Sequence, residues 1–323
     1  MIKRILLIAL PILLFVTISR SQQRAQYSDY IMNNYLLNPA VGGTYGFWNA
    51  KIGHRSQWVG IDGGPRTSFI SLHGPINYPD PRYRHRAHKP HHGVGGYAYT
   101  DRTGPITYNG LFLSYAYHHK LSRKVTSSFG AFGGIKEFRI NGDEIKFVET
   151  EMDGLIQPGL SNTFIPDLNV GGFLYSDQFF VGVSAHQVLQ SRLKIENSIS
   201  TVDNEAKLRN HYFLTGGVKF ELHHDIFFYP SFMIQYVKPA PTQVDINLRL
   251  MYSDFVWVAV AYRHLDAISI VAEYVINDTY EIGYAYDLNI SELRKYNSGS
   301  HEIILGIRWA DPKKEIMCPA KFW

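Results

Sequence analysis

Apolar and polar positions alternate in stretches of about ten residues along most of this chain, the period of a two-faced β-strand and the length of one that crosses a bilayer. Val244, Ile246, Leu248, Leu250 and Tyr252 share one face, with Gln243, Asp245, Asn247, Arg249 and Met251 on the other. Tyr280, Ile282, Tyr284, Tyr286 and Leu288 repeat the pattern, as do Ile303, Leu305, Ile307 and Trp309, broken only by Ile304. The pattern predicts about fourteen strands, starting near Trp48, Arg66, Gly93, Ile106, Val125, Pro166, Phe179, Asn210, Ile226, Thr242, Phe255, Ala267, Tyr280 and Ser300. A soluble sandwich would use the same alternation, so the connections discriminate. The even-numbered ones are mostly tight: His119 to Lys124, Ser176 to Gln178, Leu222 to Asp225, Ser253 to Asp254 and Asn277 to Thr279. The odd-numbered ones include the longest, Asn141 to Ile165, Leu189 to Arg209 and Asn289 to Gly299. Short turns on one side and long loops on the other predict an all-β transmembrane outer-membrane barrel of antiparallel strands, both termini on the periplasmic side.

On this assignment the inward face carries Asp245, Asn247, Arg249, Glu273, Glu281, Asp287 and Arg308, which implies cross-lumen pairing or water rather than an apolar ligand tunnel. Phe255 to Tyr262 is apolar on both faces, a wall set to meet a plug, a loop or another protein. Ahead of the first strand, Tyr27, Tyr30, Ile31, Asn34 and Leu37 fall at helical spacing, and Asn38-Pro39-Ala40-Val41-Gly42-Gly43 ends that run as a turn. The expectation is a short periplasmic helix within a segment 22–47, then a barrel over 48–311 and a tail over 312–323.

Composition sharpens this picture. With 45% hydrophobic and 14% aromatic residues against 19% charged, the chain is not disordered, and the single Cys318 forms neither an internal disulfide nor a Cys-x-x-Cys zinc site. Lys3 and Arg4, the apolar run Ile5 to Ile18 interrupted by Pro11, and Ser19 and Ser21 before Gln22 read as a cleaved export signal over 1–21; a retained helical anchor is the alternative. Cleavage would remove Lys3, Arg4 and Arg20, lowering the formal charge from +4 to +1, so net charge gives no case for nucleic acid.

Several clusters invite sharper chemistry. Arg82, Arg84, Arg86 and Lys89 interleave with His85, His88, His91 and His92 in the second connection; a metal site, a solvated basic loop and an anionic or protein contact are its three readings. His118-His119 and His223-His224 sit at even-numbered turns, where interfacial polar residues are expected. Ser114 with His118, or Ser184 with His186, could serve as nucleophile and base of an outer-membrane lipase, but no carboxylate orienter or oxyanion hole can be assigned. Gly93-Val94-Gly95-Gly96 lacks the Lys-Ser/Thr of a phosphate loop and reads as glycine in a lumen-facing strand. No catalytic, cofactor or metal residues are therefore assigned.

One set of motifs is more specific. Gln26-Tyr27-Ser28-Asp29-Tyr30-Ile31-Met32-Asn33-Asn34, then Asn38-Pro39-Ala40 with Gly42 and Gly43, is followed by Arg55-Ser56-Gln57-Trp58-Val59-Gly60, Gly64-Pro65-Arg66-Thr67 and Ser71-Leu72-His73-Gly74-Pro75. The chain ends with Ser300-His301-Glu302-Ile303-Ile304-Leu305 and a Cys318-Pro319 to Phe322-Trp323 tail. In order and spacing these blocks resemble the PorP/SprF family of type IX secretion system membrane proteins. The resemblance singles out Tyr27, Tyr30, Asn38, Pro39, Ala40, Arg55, Gln57, Trp58, Gly60, Gly64, Pro65 and Thr67. It implies a non-enzymatic outer-membrane barrel that needs no cofactor and supports secretion, gliding or surface retention of adhesins carrying a type B C-terminal signal domain. Its implied partners are outer-membrane lipid, the secreted protein and the periplasmic secretion machinery; separately, strand parity puts the second connection on the periplasmic side, which makes Arg82, Arg84, Arg86 and Lys89 a candidate periplasmic contact. A passive or substrate-specific porin, selective through its lumen charges, is the competing class.

Overall fold

The computed structural model describes residues 30, 32–77, 90–142, 160–191, 207–253 and 255–309. Its strands are β1 (Trp48–Ser56), β2 (Arg66–Ile76), β3 (His91–Thr103), β4 (Ile106–Lys120), β5 (Thr126–Asn141), β6 (Leu160–Tyr175), β7 (Phe179–His186), β8 (His211–Val218), β9 (Phe220–His223), β10 (Ile226–Val237), β11 (Gln243–Tyr252), β12 (Val256–Arg263), β13 (Ala267–Ile276), β14 (Tyr280–Asn289) and β15 (Ser300–Trp309). All pairing is antiparallel, and β1 closes on β15 from Trp48 opposite Trp309 to Ser56 opposite His301. β8 and β9 both lie along β10, parted at Lys219, whose amide donates 2.8 Å to the Gln178 carbonyl, and together they make one crossing. The result is a closed barrel of fourteen strands. Closure satisfies the wall's backbone groups from strand to strand and leaves no edge facing lipid.

The two faces separate as the alternation predicts. Ile52, Ile70, Leu111, Leu113, Phe129, Ile135, Leu248, Val260, Ile282 and Leu305 point outward and are exposed. Asp245, Asn247, Arg249, Glu273, Glu281 and Asp287 are buried inside, and Arg308 reaches Glu273 and Glu281 in the lumen. These inward charges are paired: Arg55 with Asp287 at 2.8 Å and Glu302 at 3.4 Å, Lys51 with Glu281 at 3.0 Å, Arg263 with Asp245 at 3.3 Å, and Lys136 with Asp167 at 2.8 Å. An unpaired charge would be too costly there.

Most predicted strand starts fall within two residues of the observed ones. The exception is β6, which begins at Leu160 and runs straight through Pro166, the residue expected to open it. The Pro166 carbonyl accepts from Ser191 Oγ at 2.9 Å on the side away from β5, so the missing proline N–H is on that side too and no β5–β6 ladder bond is lost. The connection expected over Asn141 to Ile165 is correspondingly shorter, at 142–159, whereas the one expected over Leu189 to Arg209 is slightly longer, at 187–210. They share one end of the barrel with 57–65 and 290–299, while 121–125, 176–178, 224–225, 253–255 and 277–279 turn at the other. An Arg at Leu248, outward and 48% exposed at mid-strand, should destabilise the inserted barrel by about 2–4 kcal/mol. Urea titration in lipid vesicles measures it, and an unchanged midpoint would mean that Leu248 does not face hydrocarbon.

Candidate functional site

The short periplasmic helix expected ahead of the barrel does not form among the described residues. Two 3-10 turns, Asn34–Leu36 and Pro39–Val41, occupy that stretch, and they lie inside the barrel. Tyr35 and Leu36 are 1% exposed and Ala40 and Val41 are 0%. Proline at the first position of the second turn and the Asn38 side chain, which accepts from the Ala40 amide at 3.0 Å, stop the run from continuing as an α-helix. Tyr27 and Ile31, which completed the helical pattern, lie outside the described residues.

The two turns satisfy the carbonyls of Asn33, Asn34, Asn38, Pro39 and Val41 from within the segment, and the wall supplies donors to others. Lys51 Nζ donates to the Met32 carbonyl; Ser184 Oγ and His186 Nε2 both donate to Leu37 at 2.6 Å. Ser128 Oγ donates to Ala40 at 2.7 Å, His118 Nε2 to Gly42 at 2.8 Å and His91 Nε2 to Gly43 at 3.1 Å. In the other direction, Asn38 Nδ2 reaches the wall carbonyls of Gly172 at 3.0 Å and Val183 at 3.3 Å, and Asn33 Nδ2 reaches Ser71 Oγ at 3.0 Å. Tyr35 OH lies 2.6 Å from Ser114 Oγ, and burial raises its pKa well above the ordinary phenol value, so it stays protonated.

Glycines make the room. A Cβ on Gly93 would overlap the Gly42 carbonyl, one on Gly171 would overlap Asn38 Oδ1, and one on Gly130 would come within 2.7 Å of the Pro39–Ala40 backbone. Gly43 itself, at φ +81°, turns the chain out of the lumen towards β1 through a conformation that suits glycine. Around this cradle the inward rings of Phe69, Tyr97, Phe112, Phe132, Phe173 and Phe213 pack with Tyr30, Met32, Tyr35 and Leu37 into one buried cluster that also takes in Met251, Trp257 and Ala259. The doubly apolar β12 is therefore explained: its outward side chains face lipid and its inward ones join the plug cluster.

This placement corrects several sequence expectations. The inward face is charged, as expected, both towards the long-connection end and near the 277–279 turn, where Lys51, Glu273, Glu281 and Arg308 cluster, but much of the wall around the plug is aromatic, glycine and small polar. His118 is not an interfacial residue; it is buried in the lumen, whereas His119, His223 and His224 are exposed. The two Ser–His pairs are spent on holding the plug. Of the motif residues, Tyr30, Asn38, Pro39 and Ala40 belong to the plug, and Arg55, Gln57, Trp58, Gly60, Gly64, Pro65 and Thr67 gather at the opposite end of the barrel. There Gln57 N donates to the Pro65 carbonyl at 2.8 Å, closing the first connection on itself, while Val59 N donates to Gly299 at 2.9 Å and Ser298 N to Val59 at 2.8 Å, stitching that connection to the last across the closing seam. Thr67 Oγ1 donates to Asp101 at 2.6 Å. Arg82, Arg84, Arg86 and Lys89 lie outside the described residues.

A family model for the type IX secretion system membrane protein PorP/SprF matches residues 19–307. The chain belongs to the PorP/SprF family. Its members are secretion-system membrane proteins, and the match covers the plug and nearly the whole barrel. No curated protein matches the chain. Among solved structures, the CymD monoaromatic hydrocarbon channel superposes with TM-score 0.50 at 10% identity, covering 87% of this chain and 92% of that one. A deletion mutant of the TodX monoaromatic hydrocarbon channel gives 0.48 at 9% identity over 85% and 93%, and a Pseudomonas aeruginosa FadL homologue 0.43 at 10% over 81% and 88%. At such identities the CymD likeness speaks for the barrel fold alone.

The doubled donors on Leu37 give a clean test. Ser184→Ala alone should cost under about 1 kcal/mol because His186 still serves that carbonyl, whereas Ser184→Ala with His186→Phe should cost about 1–3 kcal/mol more than the two singles added. Thermal unfolding read by heat-modifiable gel mobility measures it; strict additivity would mean the carbonyl is not held as described.

Proposed function

We propose that this chain is a non-enzymatic outer-membrane component of the type IX secretion system that supports secretion or surface anchoring of substrate proteins, of the adhesin or gliding type with a type B C-terminal signal. The observation that carries this reading over a porin is the filled lumen: a barrel that spends five backbone carbonyls and a set of inward glycines on its own N-terminal segment is organised as a docking body. The long connections, 142–159 and 187–210 among them, face outside and meet the secreted partner. The exported mature chain leaves its short turns in the periplasm, together with the basic stretch that holds Arg82, Arg84, Arg86 and Lys89, which meets the secretion machinery.

Three measurements test this. In planar bilayers the native protein should show no steady open pore, whereas Gly93→Leu with Gly171→Leu, which displaces the plug, should give discrete conductance steps; a steady open native pore would favour the porin. Shortening 142–159 or 192–206 should release the secreted partner into the medium while the barrel stays inserted, and retention unaffected by both deletions would move docking elsewhere. Replacing Arg82, Arg84, Arg86 and Lys89 by Gln should lower co-purification of periplasmic partners. Unchanged recovery across a salt series would reduce that stretch to a spacer.

A further inference from the structure

β6 has 16 residues and β7 beside it has 8. β6 pairs with β5 along its whole length, from Asn141 opposite Leu160 to Thr126 opposite Tyr175, whereas β7 covers only Val170–Tyr175 of its other side. The stretch 187–191 that follows β7 extends this cover a little: Val188 N donates to the Leu168 carbonyl at 3.0 Å and Ser191 Oγ to that of Pro166 at 2.9 Å. The returning arm of the same connection runs on the inner side, where Leu208 packs with Phe138 and Ile165.

In an antiparallel ladder every second residue turns its N–H and C=O away from the partner strand. Leu168 and Pro166 turn away from β5, so Phe164 and Asn162 do as well, and among the described residues nothing takes up their backbone groups. Asn141 N, opposite Leu160, bonds the Pro105 carbonyl on the β4 side, which gives the same parity. Such an edge could not stand in hydrocarbon. Its neighbours place it above. Glu137 and Arg139, outward on β5 opposite Phe164 and Asn162, form a 2.8 Å ion pair, and Asn109 Nδ2 at 2.8 Å and Asn162 Nδ2 at 3.4 Å donate to the same carboxylate. This polar row lies one step beyond the outward, exposed Ile135. Alternating N–H and C=O groups along an extended backbone are complementary to a second extended backbone.

We propose that this edge, Leu160–Phe164, is where the secreted partner docks, by adding an extended strand of its own beside β6. The proposal rests on the reading above that the long connections lie outside and meet that partner. The two longest, 142–159 and 187–210, flank the edge. The added strand exchanges backbone hydrogen bonds with Asn162 and Phe164, and sets an aromatic or β-branched side chain against the Phe164 ring, which is 68% exposed.

The test uses the full-length protein in dodecyl maltoside and, as probe, a fluorescent carrier fused to a type B C-terminal signal domain. Amide hydrogen exchange, resolved by residue in a mass spectrometer, should find Asn162 and Phe164 exchanging freely in the protein alone and protected when the fusion is bound. Ser161, Thr163 and Ile165, turned towards β5, should exchange slowly in both states. F164P should bind the fusion about tenfold or more weakly, because proline removes the edge donor and, as at Pro166, spares the β5 ladder. F164V keeps the donor and a β-branched side chain and should stay within about threefold. Heat-modifiable migration checks that each variant folds, N162P replaces F164P if the latter does not, and the exchange measurement needs no variant. Native-like binding by the proline variant, or exchange at Asn162 and Phe164 unchanged by bound fusion, would overturn the edge and leave the secretion reading standing. Protection of both amides without the fusion would mean that this chain or a second copy already covers the edge, and would overturn it too. Failure of the fusion to bind the native protein would overturn the secretion reading, and the docking edge with it.

Discussion

A peptide group taken out of water must find a hydrogen-bond partner, and both parts of this molecule are answers to that requirement. In the wall, closure of β1 on β15 lets strands satisfy one another all the way round. Inside, the N-terminal segment has no strand to pair with, so the carbonyls that its own turns leave over are satisfied one at a time by side chains projected from the wall. The first solution is generic to any barrel. The second ties individual wall residues to individual plug residues, and so fixes which side chains the lumen can tolerate.

Barrel size links the two. Small barrels are filled by their own side chains, and those of sixteen or more strands leave a channel; fourteen strands enclose more space than inward side chains alone would fill. The plug takes up that space. Large inward rings bring the wall to Tyr35 and Leu37, while Gly93, Gly130 and Gly171 let backbone approach backbone where a ring would not fit. Towards the long-connection end charged residues replace rings, several of them placed against an opposite charge, as where Arg55 lies between Asp287 and Glu302. Removing one partner of such a pair would leave a buried charge uncompensated, which makes this end sensitive to single substitutions.

Much of this was legible in the sequence. Period-two alternation located nearly every strand, because a wall between lipid and lumen imposes a different chemistry on successive residues. Pro166 misled because its cost depends on which side its missing N–H faces, and that is set by the length of β7 beside it. Helical spacing in Tyr27 to Leu37 misled because Tyr30, Asn34 and Leu37, the described residues of that pattern, are buried together with Met32, Tyr35 and Leu36 between them, so the segment has no polar face to set against an apolar one. The candidate Ser–His pairs were correctly seen to share a face, but their partners lay far away in sequence: Ser184 and His186 share the Leu37 carbonyl, while Ser114 meets the Tyr35 hydroxyl and His118 the Gly42 carbonyl.

The sequence by itself determined what is local: strand length, the identity of each face, the turns, and a family signature in contiguous blocks. Only the tertiary structure decided that Asn38-Pro39-Ala40 fills the lumen, that Gly93 and Gly171 exist to admit it, and that the blocks around Arg55 and Thr67 lock the closing seam at the far end. Those facts depend on which inward residues meet across the barrel. Alternation reports that a side chain points inward and is silent on what it finds there, since the partner is set by closure and stagger of the whole sheet.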